Sequence, residues 1–459
     1  MTSISRLRPL LLAGGEHTQL IVSGQPVSAN QLRDSALALA AVLAPRPEQR
    51  WAVWLQNSGD FLVTFMALAL AGKTLCLPGQ MQPASAGALS RHFDALISRQ
   101  HFDQLACPCF TPEQLLASPS GDLPTDTAAP VDVVLFTSGS TGEPRAIHKT
   151  LALLEQELHI QQRFAGERLG RLPVLSTVSH QHIYGLLHGV LWPLLRRAPI
   201  VEGLFQYPEE LLAAALPLAP VVLLSSPTHL KRLPENPAFR QHQGAIGEII
   251  SSGGLLDEAA AQALHQLMGY APLEILGSTE TGGVAWRRQS AGSHWQPLPQ
   301  VECRVDPDSG CLAVNSPHLG EAGPFVMGDR VTFQADGGFV LQGRADRLLK
   351  VEGKRVSATG MEHCLAEHPW VEAAVILLLE GRREAVAAAV ILSKAGREML
   401  ADKGKLAVNR QLRDHLLGNF ERPVLPRRWR YPAEFPLNTQ GKRLMADITA
   451  LFDREEPSR

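Results

Sequence analysis

The stretch Val133-Val134-Leu135-Phe136-Thr137-Ser138-Gly139-Ser140-Thr141-Gly142-Glu143-Pro144-Arg145 decides how this chain is read. Its β-branched and aromatic start predicts a buried strand. The run stops abruptly at small, hydroxylated residues and at two glycines. Glycine permits backbone conformations closed to other residues and lets a partner approach the amide N–H groups closely. Thr137, Ser138, Ser140 and Thr141 add hydroxyl donors. A loop of donors directly after a strand suits a polyphosphate. It is not a Walker loop, because no Lys-Ser or Lys-Thr follows Gly142. Standing alone, such a stretch reads equally as a polar surface turn, and the decision falls to the rest of the chain.

Upstream, residues 28–43 carry helical periodicity. Residues 51–55 read as a strand, Gln56-Asn57-Ser58-Gly59 as a turn, 61–71 as a strongly apolar helix ended by Gly72, and 75–78 as a second strand. Strand, helix and strand in that order predict a parallel α/β unit. Residues 118–130 form a connector rich in Pro, Asp and Thr. Downstream, 151–164 is helical in pattern, and strands are expected at 174–179, 221–224, 248–252 and 273–276. Each strand runs out into polar or glycine residues: His180-Gln181-His182-Ile183-Tyr184-Gly185, Ser225-Ser226-Pro227-Thr228, Gly253-Gly254 and Gly277-Ser278-Thr279-Glu280-Thr281. Ligands gather at such carboxyl ends of open α/β sheets. From about 295 short strands and turns take over, punctuated by Asp308-Ser309-Gly310 and Asp336-Gly337-Gly338, which predicts a β-rich subdomain. Residues 347–459 read as a small α+β unit, with 361–367 helical and 371–379 a strand.

Composition bounds the function. A chain of 459 residues exceeds one ordinary core, so two or three domains are expected. It is 45% hydrophobic and 19% charged, which is globular. A net charge of -2, from 43 basic and 45 acidic residues, gives no electrostatic case for nucleic acid or an anionic membrane. The six cysteines are scattered, as expected of reduced thiols in a cytoplasmic protein. Arg6 and Arg8 precede an apolar run too short for a signal peptide. The apolar region 183–195 is broken by His188 and Pro193 and is expected to be a buried helix and not a membrane span.

Five separated signatures then agree. They are Phe136 to Arg145; Gly277-Ser278-Thr279-Glu280; Met327-Gly328-Asp329; Gly343-Arg344-Ala345-Asp346 with Lys350, Gly353 and Arg355 following; and Pro436-Leu437-Asn438-Thr439-Gln440-Gly441-Lys442. Through these, from about residue 20 to 445, the sequence resembles the acyl-adenylate-forming, AMP-binding superfamily of acyl- and aryl-CoA ligases, stand-alone adenylating enzymes and luciferase-like proteins. The resemblance implies an α/β fold. A large N-terminal body of mixed and parallel α/β subdomains plus a β-rich subdomain (1–345) would hold the ATP and acyl sites. A small mobile α+β domain (346–459) would carry the catalytic lysine, with the hinge near Asp346.

The chemistry that the resemblance implies is attack of a carboxylate on the α-phosphorus of ATP, with pyrophosphate leaving. Attacker and target are both anionic, so neutralising charge is the main task. Thr137, Ser138, Gly139, Ser140, Thr141, Gly142 and Arg145 would hold the terminal phosphates. Glu280 would bind Mg²⁺, a hard cation that prefers oxygen. Thr279 would reach the α-phosphate, Asp329 and Arg344 the ribose. Gly253, Leu276, Gly277 and Ser278 would complete the nucleotide site. Lys442 would bridge the carboxylate and the α-phosphate. His182 would orient the acyl group in a pocket lined by Tyr184, Gly185 and Gly283.

In relatives that activate amino acids an Asp pairs with the substrate amine. Here Ile183 stands in that place, and a buried ammonium without a partner is costly, so a small aryl or acyl acid is expected. The acceptor would be CoA or a phosphopantetheinylated acyl carrier protein. Adenylation without thioester formation and nucleotide binding without turnover are the other readings, the second opposed by the presence of Glu280, Asp329 and Lys442. The pattern is departed from at Arg145-Ala146, where the family has Lys-Gly, at Leu276, where it has an aromatic, and at Met327, where it has Thr. Arg145 keeps the charge and can fork onto phosphate.

Overall fold

The computed structural model describes residues 12–79, 83–103, 105–123, 130–138, 144–320, 323–351, 354–379, 385–417, 419–436 and 445–453, together with Pro9 and Met81. Two compact units emerge. The first comprises Met1–Cys303, Val314–Phe325 and Asp336–Gly338, the second Arg304–Ala313, Val326–Ala335 and Phe339–Arg459.

The first unit is built on two sheets. The six-stranded sheet has the order Cys109–Phe110, Ala95–Ser98, Arg50–Trp54, Thr74–Leu77, Asp132–Ser138, Pro144–Thr150. All its neighbours are parallel except the last pair. The nine-stranded sheet has a parallel centre running Thr18–Val22, Ile200–Val201, Val174–Ser176, Val221–Ser225, Ile246–Ser251, Leu273–Ser278. Antiparallel strands close both of its edges. The side-chain period of two is visible in the core. Trp51 and Val53 join an apolar cluster that also takes Leu224, Ile250 and Ile275 from the other sheet, whereas Ala52 and Trp54 join a separate cluster with Leu96 and Phe136. Buried on both faces, these strands read as continuous apolar runs, and for that reason they were visible in the sequence.

The helix Ser58–Leu70 supplies the large cluster with Phe61, Leu62, Phe65 and Leu68 and is buried around nearly its whole circumference. Helix Ala29–Leu43 starts where the sequence predicts. Ser28 Oγ accepts from the Gln31 N–H, and the Gln31 side chain accepts from the Ser28 N–H. The apolar region expected as one helix is instead three pieces: α over Ile183–Leu186, π over Leu187–Leu191 and α over Trp192–Arg196. Pro193 lacks an N–H and its ring crowds the preceding turn, and the wider π turn sits just before it. Among the described residues no helix is long and apolar enough to cross a membrane.

The strand Pro144–Thr150 was not foreseen. It turns the predicted loop into the link of an antiparallel hairpin, with Thr137 opposite Arg145. Its inward positions are Ile147 and Lys149, and a buried lysine breaks the apolar alternation that marks a strand.

In the second unit, strand Phe325–Phe333 pairs antiparallel with Phe339–Arg344. A three-stranded sheet of Val371–Leu379, Ala385–Leu392 and Arg428–Arg430 follows. Helices Ala358–Ala366 and Lys394–Leu416 contribute to the core on one side of that sheet, and Met445–Asp453 to a second cluster with Val375, Leu377 and Phe435.

Candidate active site

Gly139, Ser140, Thr141 and Gly142 lie outside the described residues, as does the side chain of Ser138. Both ends of their loop are nonetheless placed. Thr137, half-buried, is the last residue but one of strand Asp132–Ser138, and Arg145, exposed, is the second of its antiparallel partner Pro144–Thr150. Among the described residues Arg145 has no ion-pair partner, so its charge is available to an anion.

The second signature forms a tight turn. Strands Leu273–Ser278 and Gly282–Arg287 are antiparallel, with Ser278 opposite Gly282. A Cβ on Gly277 would fall 2.2 Å from the Gly282 carbonyl oxygen, so only glycine fits there. The turn is closed by Thr281, which the sequence reading passed over. The Ser278 N–H donates to Thr281 Oγ1 at 3.1 Å, the Thr281 N–H donates to Ser278 Oγ at 3.2 Å, and Thr281 Oγ1 donates to the Gly282 carbonyl at 2.9 Å. Thr279 and Glu280 are left half-buried at the tip. Lys149 Nζ donates to the Glu280 carbonyl at 2.7 Å. This bond joins the return strand of the phosphate-loop hairpin to the Glu280 turn, bringing signatures from two different sheets together.

A third group converges on the same hairpin. His182 is the residue before helix Ile183–Leu186. A Cβ on Gly79 would lie 3.0 Å from His182 Cε1 and 2.9 Å from the Phe136 carbonyl oxygen. His182 therefore stands against the strand that feeds the phosphate loop. Its neighbour His180 is structural: Nε2 is 2.7 Å from the Leu55 carbonyl, the ring lies 4.1 Å from that of Phe61, and burial pushes its pKa down to about 4. The His/Cys/Asp/Glu cluster among the described residues that is close enough to share an ion is Cys364, Glu367 and His415, in the second unit, and not His180 with His182.

Tyr184 donates to the carbonyls of Ile250 (2.8 Å) and Ser225 (3.1 Å) at the ends of two parallel strands, and burial raises its pKa. Its hydroxyl is thus committed to backbone, and what it can offer an acyl group is its ring. Gly185 is dictated by space, since a Cβ would come 2.1 Å from the Ser179 carbonyl oxygen. Gly283 likewise faces inward, toward Glu157, Gln161 and Leu298. Gly253, with φ +82°, follows strand Ile246–Ser251, which is hydrogen-bonded to the strand carrying Leu276. Leu276 is half-buried, and Ser252 Oγ donates to the Ile275 carbonyl at 2.8 Å.

In the second unit, Asp329 and Arg344 face each other across the hairpin, with Arg344 Nη1 3.6 Å from Asp329 Oδ2. An acceptor and a donor side by side match the needs of a vicinal diol. Asp346 lies in the 3₁₀ turn Ala345–Arg347, its side chain outside the described residues. Lys442 also lies outside them, within 437–444.

The donor set fits Mg²⁺ and ATP. Among the described residues the Glu280 carboxylate makes no hydrogen bond or ion pair, while Ser278 and Thr281 of its turn bond one another. An oxygen ligand without a competing partner suits a hard cation. The hydroxyls of Thr137 and Thr279 and the Arg145 guanidinium supply the donors that phosphate oxygens require.

Comparisons with known proteins bear on the family. The model of the family described as AMP-binding enzyme matches residues 94–327. A 4-coumarate–CoA ligase of Cereibacter sphaeroides is 28% identical over 307 residues, 67% of this chain and 68% of that one. A 3-hydroxybenzoate–CoA ligase of Aromatoleum sp. is 24% identical, over 72% of this chain and 68% of that one. Among solved structures, ATP-bound MatB from Rhodopseudomonas palustris superposes with a TM-score of 0.79 over 98% of this chain and 99% of that one, at 20% identity, a likeness of fold. The chain belongs to the AMP-binding enzyme family and is an acyl-CoA-synthetase-like member of it.

Proposed function

We propose that this enzyme activates a small aryl acid as its acyl-adenylate and then passes the acyl group to the thiol of CoA. The observation that supports this most is the turn Ser278–Gly282, which ties Ser278 to Thr281 internally and leaves the Thr279 hydroxyl and the Glu280 carboxylate at its tip. Bound Mg²⁺ and ATP supply an electrophilic α-phosphorus and a pyrophosphate leaving group. Glu280 would hold the cation, Thr279 would donate to the α-phosphate, and the loop from Thr137 to Arg145 would hold the leaving phosphates. Asp329 and Arg344 would fix the ribose. Lys442, delivered by a mobile domain hinged near Asp346, would neutralise the charge that builds between carboxylate and phosphate. His182 would orient the acid, with the ring of Tyr184 beside it.

Ile183, whose apolar side chain packs on the core beside Tyr184 and offers no partner to an ammonium, argues against an amino acid, and the resemblance of His182-Ile183-Tyr184 to hydroxycinnamate-type ligases favours an aryl acid. Relatives named for coumarate and hydroxybenzoate point the same way. One feature supports an acyl carrier protein as the alternative acceptor. In the second unit Arg410, Arg413, Arg422 and Arg427 line one groove with the exposed Leu406 and Leu417. Cations interleaved with exposed aliphatics suit an acidic protein surface.

The test offers a pool of aryl and aliphatic acids with ATP, and CoA or a holo carrier protein separately. Pyrophosphate release with thioester on CoA is the expected result. Thioester on the carrier alone would select the alternative, and ATP binding without pyrophosphate release would overturn both.

A further inference from the structure

Behind the Glu280 turn the fold buries a set of polar groups that no step above uses. Lys149 is 6% exposed and donates from Nζ to the Glu280 carbonyl. Glu157, on helix Leu151–Leu169, is 2% exposed and accepts from the Gly283 N–H at 2.6 Å and from Gln161 Nε2 at 3.0 Å. His318 Nε2 lies 3.0 Å from the Gly283 carbonyl, and His188 Nε2 lies 2.6 Å from Gln161 Oε1. The contact is close enough to set the sequence of the turn. A Cβ on Gly282, where φ is +68°, would fall 2.2 Å from Glu157 Oε2, and one on Gly283 would fall 2.9 Å from Gln161 Nε2.

The backbone from Glu280 to Gly283 is therefore gripped at both ends, by its carbonyl at Glu280 and by its N–H at Gly283. Burial raises the Glu157 carboxyl and lowers the Lys149 ammonium, each opposed by the other's charge. Desolvating two opposite charges is costly, and a pair of apolar residues of the same volume would stabilise a fold at least as well. The pair therefore has to be explained by what it holds in place. Both groups are buried and bond the turn's backbone.

We propose that Lys149 and Glu157 are positioning residues for the metal-binding turn, holding the segment Glu280–Gly283 so that the Glu280 carboxylate and the Thr279 hydroxyl stay aimed at the divalent cation and the α-phosphate. This deepens the nucleotide reading above and rests on it. Glu280 would be the carboxylate that holds the cation, so a turn free to shift by a fraction of an ångström would lose cation affinity first. Partners that orient a metal ligand are typically worth about 10–100-fold in metal affinity.

The test compares the parent protein with Lys149→Met, Glu157→Ala and Glu157→Gln by two readouts. One is the Mg²⁺ concentration for half-maximal pyrophosphate exchange. The other, independent of turnover, is the extra rise in melting temperature given by ATP with Mg²⁺ over ATP with EDTA. Lys149→Met and Glu157→Ala are expected to raise the Mg²⁺ requirement about tenfold or more and to shrink the Mg²⁺-specific rise, while the stabilisation by ATP in EDTA is kept. Glu157→Gln keeps an oxygen for the Gly283 N–H and is expected to restore most of the Mg²⁺ response. Variants that melt earlier but respond to Mg²⁺ like the parent would overturn the proposal and leave a purely structural role. A parent protein whose melting does not respond to ATP and Mg²⁺ would instead overturn the nucleotide reading, and this proposal with it.

Discussion

Glu280 stands at a turn tip whose Ser278 and Thr281 groups bond one another, and among the described residues its carboxylate makes no hydrogen bond or ion pair, which is the most informative property of the site. Glu280→Gln keeps the shape and removes the charge. Pyrophosphate exchange is expected to fall about 10²-fold, the scale of losing one pre-organised electrostatic group, with the melting temperature unchanged; an exchange assay beside a melting curve checks both. Buried histidines give a second prediction at this scale. Burial lowers His180, His188 and His318 to about 4, with the Lys149 charge adding to the effect at His318. An unfolded chain takes up these protons near pH 6.5 and the folded chain only near 4, so each histidine costs about 1.4 kcal/mol of stability per pH unit lost across that window.

Glu157 runs the other way. Its carboxyl, raised to about 7, is protonated in the fold before it is protonated in the unfolded chain, so its contribution grows as pH falls from 7 toward 4.5. Three groups against one leave a net loss. The urea midpoint is expected to drop between pH 6.5 and pH 5, and less so in His318→Asn. Hydroxyls, glycines and Glu280 were legible because they recur in a motif. Thr281, Lys149, Glu157 and His318 were not, because a single polar residue inside an apolar pattern carries no spacing that announces a partner more than a hundred residues away.

At the level of elements, the buried parallel strands were readable to within a few residues, and 371–379 to both ends, because burial on two faces leaves an unbroken apolar run. Strand Pro144–Thr150 was missed because Lys149 occupies an inward position, and the 183–195 region was misread as one helix because apolarity does not distinguish α from π turns. The hairpin of Glu280 gives the sharpest elemental prediction. Gly277→Ala would force a Cβ to 2.2 Å from the Gly282 carbonyl, so the two strands must part at their tip. Pyrophosphate exchange is expected to be lost while the circular dichroism of the fold is retained. At the other end of the chain, Ser28→Ala removes one half of a capping box and should cost about 1 kcal/mol in chemical denaturation, with no effect on exchange.

At the scale of the molecule, the sequence announced an α/β body and a smaller C-terminal unit, but not how the β-rich segment is shared between them. Contacts group 326–335 and 339–345 with the C-terminal residues. The sequence could not show this, because short alternating strands pair by register and not by order. The site residues of the body form one neighbourhood, joined by the Lys149–Glu280 bond and by the seat of His182 against Gly79 and Phe136. Lys442, the proposed carrier of the transition-state charge, lies outside the described residues. Lys442→Ala is expected to lower acid-dependent exchange about 10²–10³-fold while ATP still binds, as calorimetry would read. The central claim is that a carboxylate attacks ATP in this site. Its most direct test is ATP–pyrophosphate exchange over a panel of aryl and aliphatic acids with Mg²⁺. The account predicts exchange that requires an acid, is strongest with an aryl acid and disappears in EDTA; exchange with none of the acids, by a protein that demonstrably binds ATP and Mg²⁺, would contradict it.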